Sequence, residues 1–110
     1  MVQSIDRDLD LVFGALADSN RRKMILSLMS GDQTVEALGQ PLGMSTAGAL
    51  KHVRILEESG LIESEKRGRS RFCHLRVERL ETVTGWIHDV QRFWTGNLER
   101  LVKYLQENHD

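Results

Sequence analysis

Apolar residues recur at helical spacing through most of the chain and change to alternation once, near its middle. Over residues 6–17, Leu9, Val12, Phe13 and Leu16 share one face of a helix, and Asp6 and Asp8 are expected in its first turn, where carboxylates favour the dipole. Asp18, Ser19 and Asn20 interrupt that pattern with capping chemistry. RRKMILSLMS then predicts a second helix with Met24, Ile25, Leu28 and Met29 inward, closed by Gly31 and Asp32. Thr34 is placed to cap a short third helix, VEALGQ, which turns Val35 and Leu38 inward and stops or bends at Pro41 and Gly43. A fourth helix starts at Ser45, a side chain able to accept from free amides of a first turn, and ends at Gly60. Ala49, Val53 and Leu56 make its apolar stripe at i, i+4 and i+7, while Ser45, Thr46, Lys51, His52 and Arg54 occupy other faces.

After Gly60 the period falls toward two. Residues 61–66 and 70–76 read as strands joined by a turn built on Gly68. From about residue 78 to 108 the helical period returns without interruption: Leu80, Val83, Ile87, Val90, Trp94, Leu98, Leu101 and Leu105 recur at steps of three and four, and Trp86 and Phe93 widen the stripe. The expected fold is mainly α with a small β-hairpin (α+β), in the order α-α-α-α-β-β-α. Residues 34–60 form a helix-turn-helix and 61–76 a wing, all within one domain, 1–110. A final helix of about 30 residues spans about 45 Å, longer than a core of this size covers. Its apolar surface calls for a partner, and a second copy of the chain is the simplest one. The alternative is a break at Gly85 or Gly96 that folds the helix back on its own domain.

Composition sharpens this picture in three places. Cys73 is the single cysteine, so the chain holds no internal disulfide, and one thiol fits a reducing compartment. No apolar run approaches the roughly 18 residues of a membrane span, and MVQSIDRDLD lacks the pattern of a signal peptide, so a cytoplasmic location is expected. Net charge is −1, yet residues 45–76 carry seven cations against four anions while both ends are acidic. Lys66, Arg67, Arg69, Arg71 and Arg76 fall within eleven residues that contain no acid. That run is either a footprint for phosphates or a solvated loop. Arg21, Arg22 and Lys23 stand at a helix start, where cations are unfavourable, and call for a phosphate or an internal carboxylate nearby.

The chain resembles the arsenic-repressor-like (ArsR/SmtB) family of bacterial winged-helix regulators. The resemblance covers nearly its whole length. It is carried by Leu16-Ala17-Asp18 before Arg21-Arg22, Lys51-His52 followed by Leu56-Glu57, Gly60-Leu61-Ile62, and Gly68-Arg69. What it implies is a homodimeric transcription factor, usually a repressor, that binds imperfect inverted repeats of double-stranded DNA through promoter occupancy. In such proteins the first and last helices, here 1–18 and 78–108, form the dimer interface. The residues expected there are Leu9, Val12, Phe13, Trp86, Val90, Phe93, Trp94, Leu98, Leu101 and Leu105. The expected DNA-facing set is Ser45, Thr46, Ala47, Lys51, His52 and Arg54 on the helix, with Arg67, Arg69 and Arg71 on the wing.

Two departures matter. Many relatives sense metals through a cysteine pair, and the corresponding stretch here, Gln33 to Leu38, has none. The last helix offers only His88, Asp89 and the terminal His109, which do not reproduce the family's other metal spacing. Neighbours on a strand, Cys73 and His74 point to opposite faces. No metal or cofactor is therefore expected, and the effector stays open. The second departure is in the reading helix. Thr46, Ala47 and Gly48 are small, and Leu50 is apolar, so Leu50 either touches a thymine methyl or pads the helix. No nucleophile with a base, phosphate-cradling loop or carboxylate pair suggests an enzyme. A thiol switch at Cys73 would need nearby arginines to lower its pKa; otherwise it is a half-buried strand cysteine. The competing function is a protein-interaction module with a vestigial helix-turn-helix, favoured by the near-neutral net charge.

Overall fold

The computed structural model describes residues 2–108. Along them run α1 (Val2–Leu16), α2 (Ser19–Leu28), β1 (Gln33–Thr34), α3 (Val35–Gly39), α4 (Thr46–Glu58), β2 (Ile62–Arg67), β3 (Ser70–Leu75) and α5 (Glu81–Glu107). Short 3-10 turns cover Gln40–Leu42 and Val77–Leu80. The expected order holds with one addition. β1 is a two-residue strand that pairs antiparallel with β3, Gln33 opposite Cys73 and Thr34 opposite Phe72, so the sheet order is β1-β3-β2. Two residues are too few for a period to declare itself, which is why alternation could not reveal it.

The helix starts follow from side chains that satisfy otherwise free amides. The Asp18 carboxylate accepts from the Asn20 and Arg21 amides at 2.8 and 3.1 Å, Thr34 Oγ1 from Ala37 at 3.1 Å, and Ser45 Oγ from Gly48 at 3.1 Å. α1 begins at Val2, earlier than expected, so Asp6 and Asp8 lie beyond its first turn, and Asp8 instead pairs with Arg79 at 3.4 Å.

The core gathers one face from each of α1 to α4 and the base of the hairpin. Val12, Met24, Leu38, Val53, Leu56, Leu61 and Cys73 are among its fully enclosed members. Gly39 is required where α3 meets α4, because a Cβ there would stand 2.6 Å from that of Ala49. Two expected positions differ. Met29 lies past the end of α2 and is 61% exposed, while Met24, Ile25 and Leu28 are buried as expected. Val12 has 0% exposure inside its own chain, so it is a core residue and not a dimer contact.

α5 is unbroken through Gly85 and Gly96, which rules out the fold-back alternative. Its 27 residues extend about 40 Å at roughly 1.5 Å each. Only Val83 is buried, and Trp86 meets Phe13 of α1 edge to face with ring centroids 5.7 Å apart. Val90, Phe93, Trp94, Leu98, Leu101 and Leu105 stand exposed beyond that point, and the molecule measures 74 × 32 × 21 Å.

Candidate nucleic-acid interface

α4 buries Ala49, Val53 and Leu56 completely, and that commitment decides which residues face out. Ala47, Lys51 and Arg54 are exposed along the opposite side, and Ser45 and Thr46 are exposed at the N-terminal end of the helix. Leu50 packs partly buried against the core, so it pads the helix. His52 is half-buried, and its Nδ1 lies 3.2 Å from Nη1 of Arg21.

Two of the cations at the start of α2 are engaged within the chain: carbonyl oxygens take up Arg21 and Arg22, and the Asp18 carboxylate feels the charge of Arg21. Arg21 donates from Nε to the Ala15 carbonyl at 2.7 Å and from Nη2 to the Gly14 carbonyl at 3.1 Å. Arg22 donates from Nη1 to the Leu16 carbonyl at 2.6 Å. These oxygens belong to the last turn of α1, where carbonyls lack partners within the helix and the dipole favours cations. The unfavourable position in α2 is thus a favourable one relative to α1. No positive-φ residue closes α1, which leaves that task to the arginines.

The wing turns in two residues, with Gly68 at φ +63° and Arg69 outside the left-handed region, as a type II′ hairpin requires. Lys66 and Arg71 are register partners and share one face with Ser64 and Cys73, while Arg67 lies on the other with Phe72 and His74. Arg71 donates to Ser64 Oγ at 2.9 Å, and that hydroxyl donates to Glu57 at 3.0 Å. Arg67 packs over the Phe72 ring at 4.8 Å and pairs with Asp32 at 3.1 Å and with Glu65. Asp32 also holds His74 at 2.8 Å. The His74 and Arg67 side chains keep the Asp32 carboxyl below its ordinary range.

The expected cation run is therefore divided. Arg67 and Arg76 are held by carboxylates, the latter by Glu63 and Glu78 at 2.7 and 2.9 Å. Lys51, Arg54, Lys66, Arg69 and Arg71 have no ion-pair partner among the described residues and lie on α4 and the wing. Arg67 is neutralised partly by Asp32, which lies outside the basic segment, and a linear charge count cannot assign Glu63 to Arg76.

Cys73 is wholly enclosed rather than half-buried. Burial pushes its thiol up to about 11, Glu57 adds to the rise, and the opposing effect of Arg71 is smaller. The lowered pKa that a thiol switch needs is absent, because desolvation outweighs the arginine. His74 points away from Cys73, as alternation expects, and His109 lies outside the described residues.

A polar helix exposed behind a tight turn, flanked by a basic hairpin, defines a winged helix-turn-helix domain. No family model matches the chain. It is 36% identical to an ArsR family transcriptional regulator of known crystal structure, with a TM-score of 0.78 over 82% of this chain and 93% of that one. The chain belongs to the ArsR family of transcriptional regulators. It is also 26% identical over 76 residues to the transcriptional repressor SdpR of Bacillus subtilis, covering 69% of this chain and 84% of that protein. A homodimeric winged helix-turn-helix DNA-binding domain from Mycobacterium bovis shares the fold at 22% identity, with a TM-score of 0.66 over 82% of this chain and 83% of that one.

Proposed function

We propose that the chain is a sequence-specific double-stranded DNA-binding regulator that acts as a homodimer and represses by occupying a promoter. The observation that carries this is the outward face of α4. Ser45, Thr46, Ala47, Lys51 and Arg54 are presented by a helix whose other side is locked in the core, beside Arg69 and Arg71 of the wing. In this reading α4 enters the major groove and His52 adds a polar contact at its edge. Lys51 and Arg54 hold phosphates, the commoner destination of such side chains. Arg67, engaged with Asp32 and Glu65, braces the wing.

Dimerisation rests on the exposed aromatic and aliphatic band of α5, continued by Phe13 and Leu9 of α1. Trp86, Val90, Phe93, Trp94, Leu98, Leu101 and Leu105 would close on their counterparts and set two α4 helices about 34 Å apart, matching inverted half-sites. The M. bovis neighbour is homodimeric, which supports the same assembly here. Regulation is not assigned to a cysteine metal box, because Gln33 to Leu38 supplies no thiolate. The protein carries no proposed catalysis and works in the cytoplasm; no helix is long and apolar enough to cross a membrane among the residues described.

Selection of bound fragments from a genomic pool, followed by titration of the recovered duplex at several salt concentrations, tests this reading. Inverted half-sites one helical turn apart and a slope of about −0.9 in log K per neutralised phosphate are expected. A flat salt dependence, or a pool with no enriched fragment, would sink it.

A further inference from the structure

Arg21 joins two parts of the molecule that the proposed function uses for different purposes. Its side-on edge, Nε and Nη2, grips the Ala15 and Gly14 carbonyls at the end of α1, next to Phe13 and its contact with Trp86. Its remaining terminal nitrogen, Nη1, reaches His52 Nδ1 at 3.2 Å on the helix proposed to enter DNA. A guanidinium has donors only. Nδ1 of His52 must therefore accept, which places the ring proton on Nε2. Nε2 has no hydrogen-bond partner among the described residues. The half-buried ring cannot change its orientation without breaking the Arg21 contact.

We propose that Arg21 is a positioning residue for DNA recognition: by donating to His52 Nδ1 it fixes the imidazole so that an Nε2–H donor is presented to an acceptor on the DNA. It also makes that presentation depend on where α1 ends. The acceptor is a phosphate oxygen or a base-edge oxygen or nitrogen. The proposal rests on the DNA-binding reading above. Asp18, whose carboxylate feels His52, is engaged as the cap of α2 and makes no hydrogen bond to the ring.

Two measurements on the full chain test it. Long-range proton–nitrogen correlation of histidine-labelled protein without DNA reports the His52 tautomer directly. A proton on Nε2 is expected in the native chain, with Arg21→Met shifting the ring toward a mixture. A proton on Nδ1 in the native chain overturns the proposal. Affinity is then measured by fluorescence anisotropy for the genomically selected duplex and for a scrambled duplex of the same composition. His52→Ala should weaken binding about tenfold, and His52→Gln should recover to within about twofold because its amide restores a donor at similar reach. Arg21→Met should cost about fivefold in the native background and under about twofold in the His52→Gln background. If Arg21→Met does not fold, Arg21→Lys, which cannot bridge both partners, completes the same cycle. Equal losses in both backgrounds would make Arg21 a brace of α1 alone and overturn the proposal. Loss on both duplexes identifies a phosphate acceptor, and loss on the selected one alone a base edge. A native chain that binds neither duplex removes the DNA-binding reading itself, and this proposal with it.

Discussion

α4 and α5 are both amphipathic, and the chain treats them in opposite ways. In α4 the apolar side is consumed internally: Ala49, Val53 and Leu56 are closed off by α1 to α3 and the base of the wing, and the polar side is what remains for a ligand. In α5 only Val83 is closed off, and the apolar side remains. Phe93 and Trp94 are 69% and 63% exposed, a burden that an isolated chain has no means to relieve. The same helical period thus supports two kinds of recognition. Which kind appears depends on whether other elements of the chain reach the stripe.

The largest expected effect tests whether the α4 stripe is structural. Leu56→Ala should remove about 3 kcal/mol of unfolding free energy, read from urea denaturation, because a fully enclosed leucine leaves a cavity. The corresponding change on α5 should behave differently. Leu98→Glu with Leu101→Glu should leave the helix-turn-helix folded by circular dichroism, yet yield a monomer by light scattering. Affinity for an inverted repeat should then fall on the order of a hundredfold, near 3 kcal/mol. Loss of fold in that variant would mean that α5 stabilises its own domain and the contrast is false. Next in size, Arg69→Ala with Arg71→Ala should weaken binding to all duplexes about tenfold and flatten the salt slope by about 2. A drop confined to particular sequences would show that the wing reads groove shape as well as charge.

The smallest effect concerns the cap of α2. The Asp18 carboxyl is held below its ordinary value first by the Arg21 amide, then by the charge of Arg21 and the Asn20 amide. A depressed carboxyl pKa contributes stability that is present above the ordinary value of 3.8 and is lost as pH falls through the lower folded value. Asp18→Asn keeps a good cap but has no such titration. The gap in urea midpoint between native and variant protein should narrow as pH falls from 5 to about 2. A gap that stays constant would place the stabilisation elsewhere.

Periodicity made most of this architecture legible: the α4 stripe, the caps at Ser45 and Thr34, the Gly68 turn and the length of α5 all follow from local pattern. What local pattern could not supply were partners remote in the chain. Arg21 finds Ala15 by a short reversal, but its partner His52 lies 31 residues further along the chain, and Asp32 meets Arg67 and His74 only once β1 joins the sheet. Val12 shows the same limit from another side. Its place on the α1 stripe was clear, but whether a stripe residue faces its own core or a second chain depends on tertiary packing. Cys73 left two readings open, since the neighbouring arginine is visible in sequence while the depth of burial is not.

The two residues of β1 also give the wing a mechanical character. They stitch β3 only at Phe72 and Cys73, so the sheet is three strands wide midway along the hairpin and two strands wide toward the tip. The part beyond β1, from Phe72 to the tip at Arg69, projects about 10 Å at roughly 3.3 Å per residue, carries Lys66, Arg69 and Arg71, and is tied back by Arg67 to Asp32. It is a cantilever with its clamp at Thr34, the residue that also caps α3. A duplex seated on the proposed DNA face would load the tip, and β1 would carry that load to Thr34 and the first turn of α3.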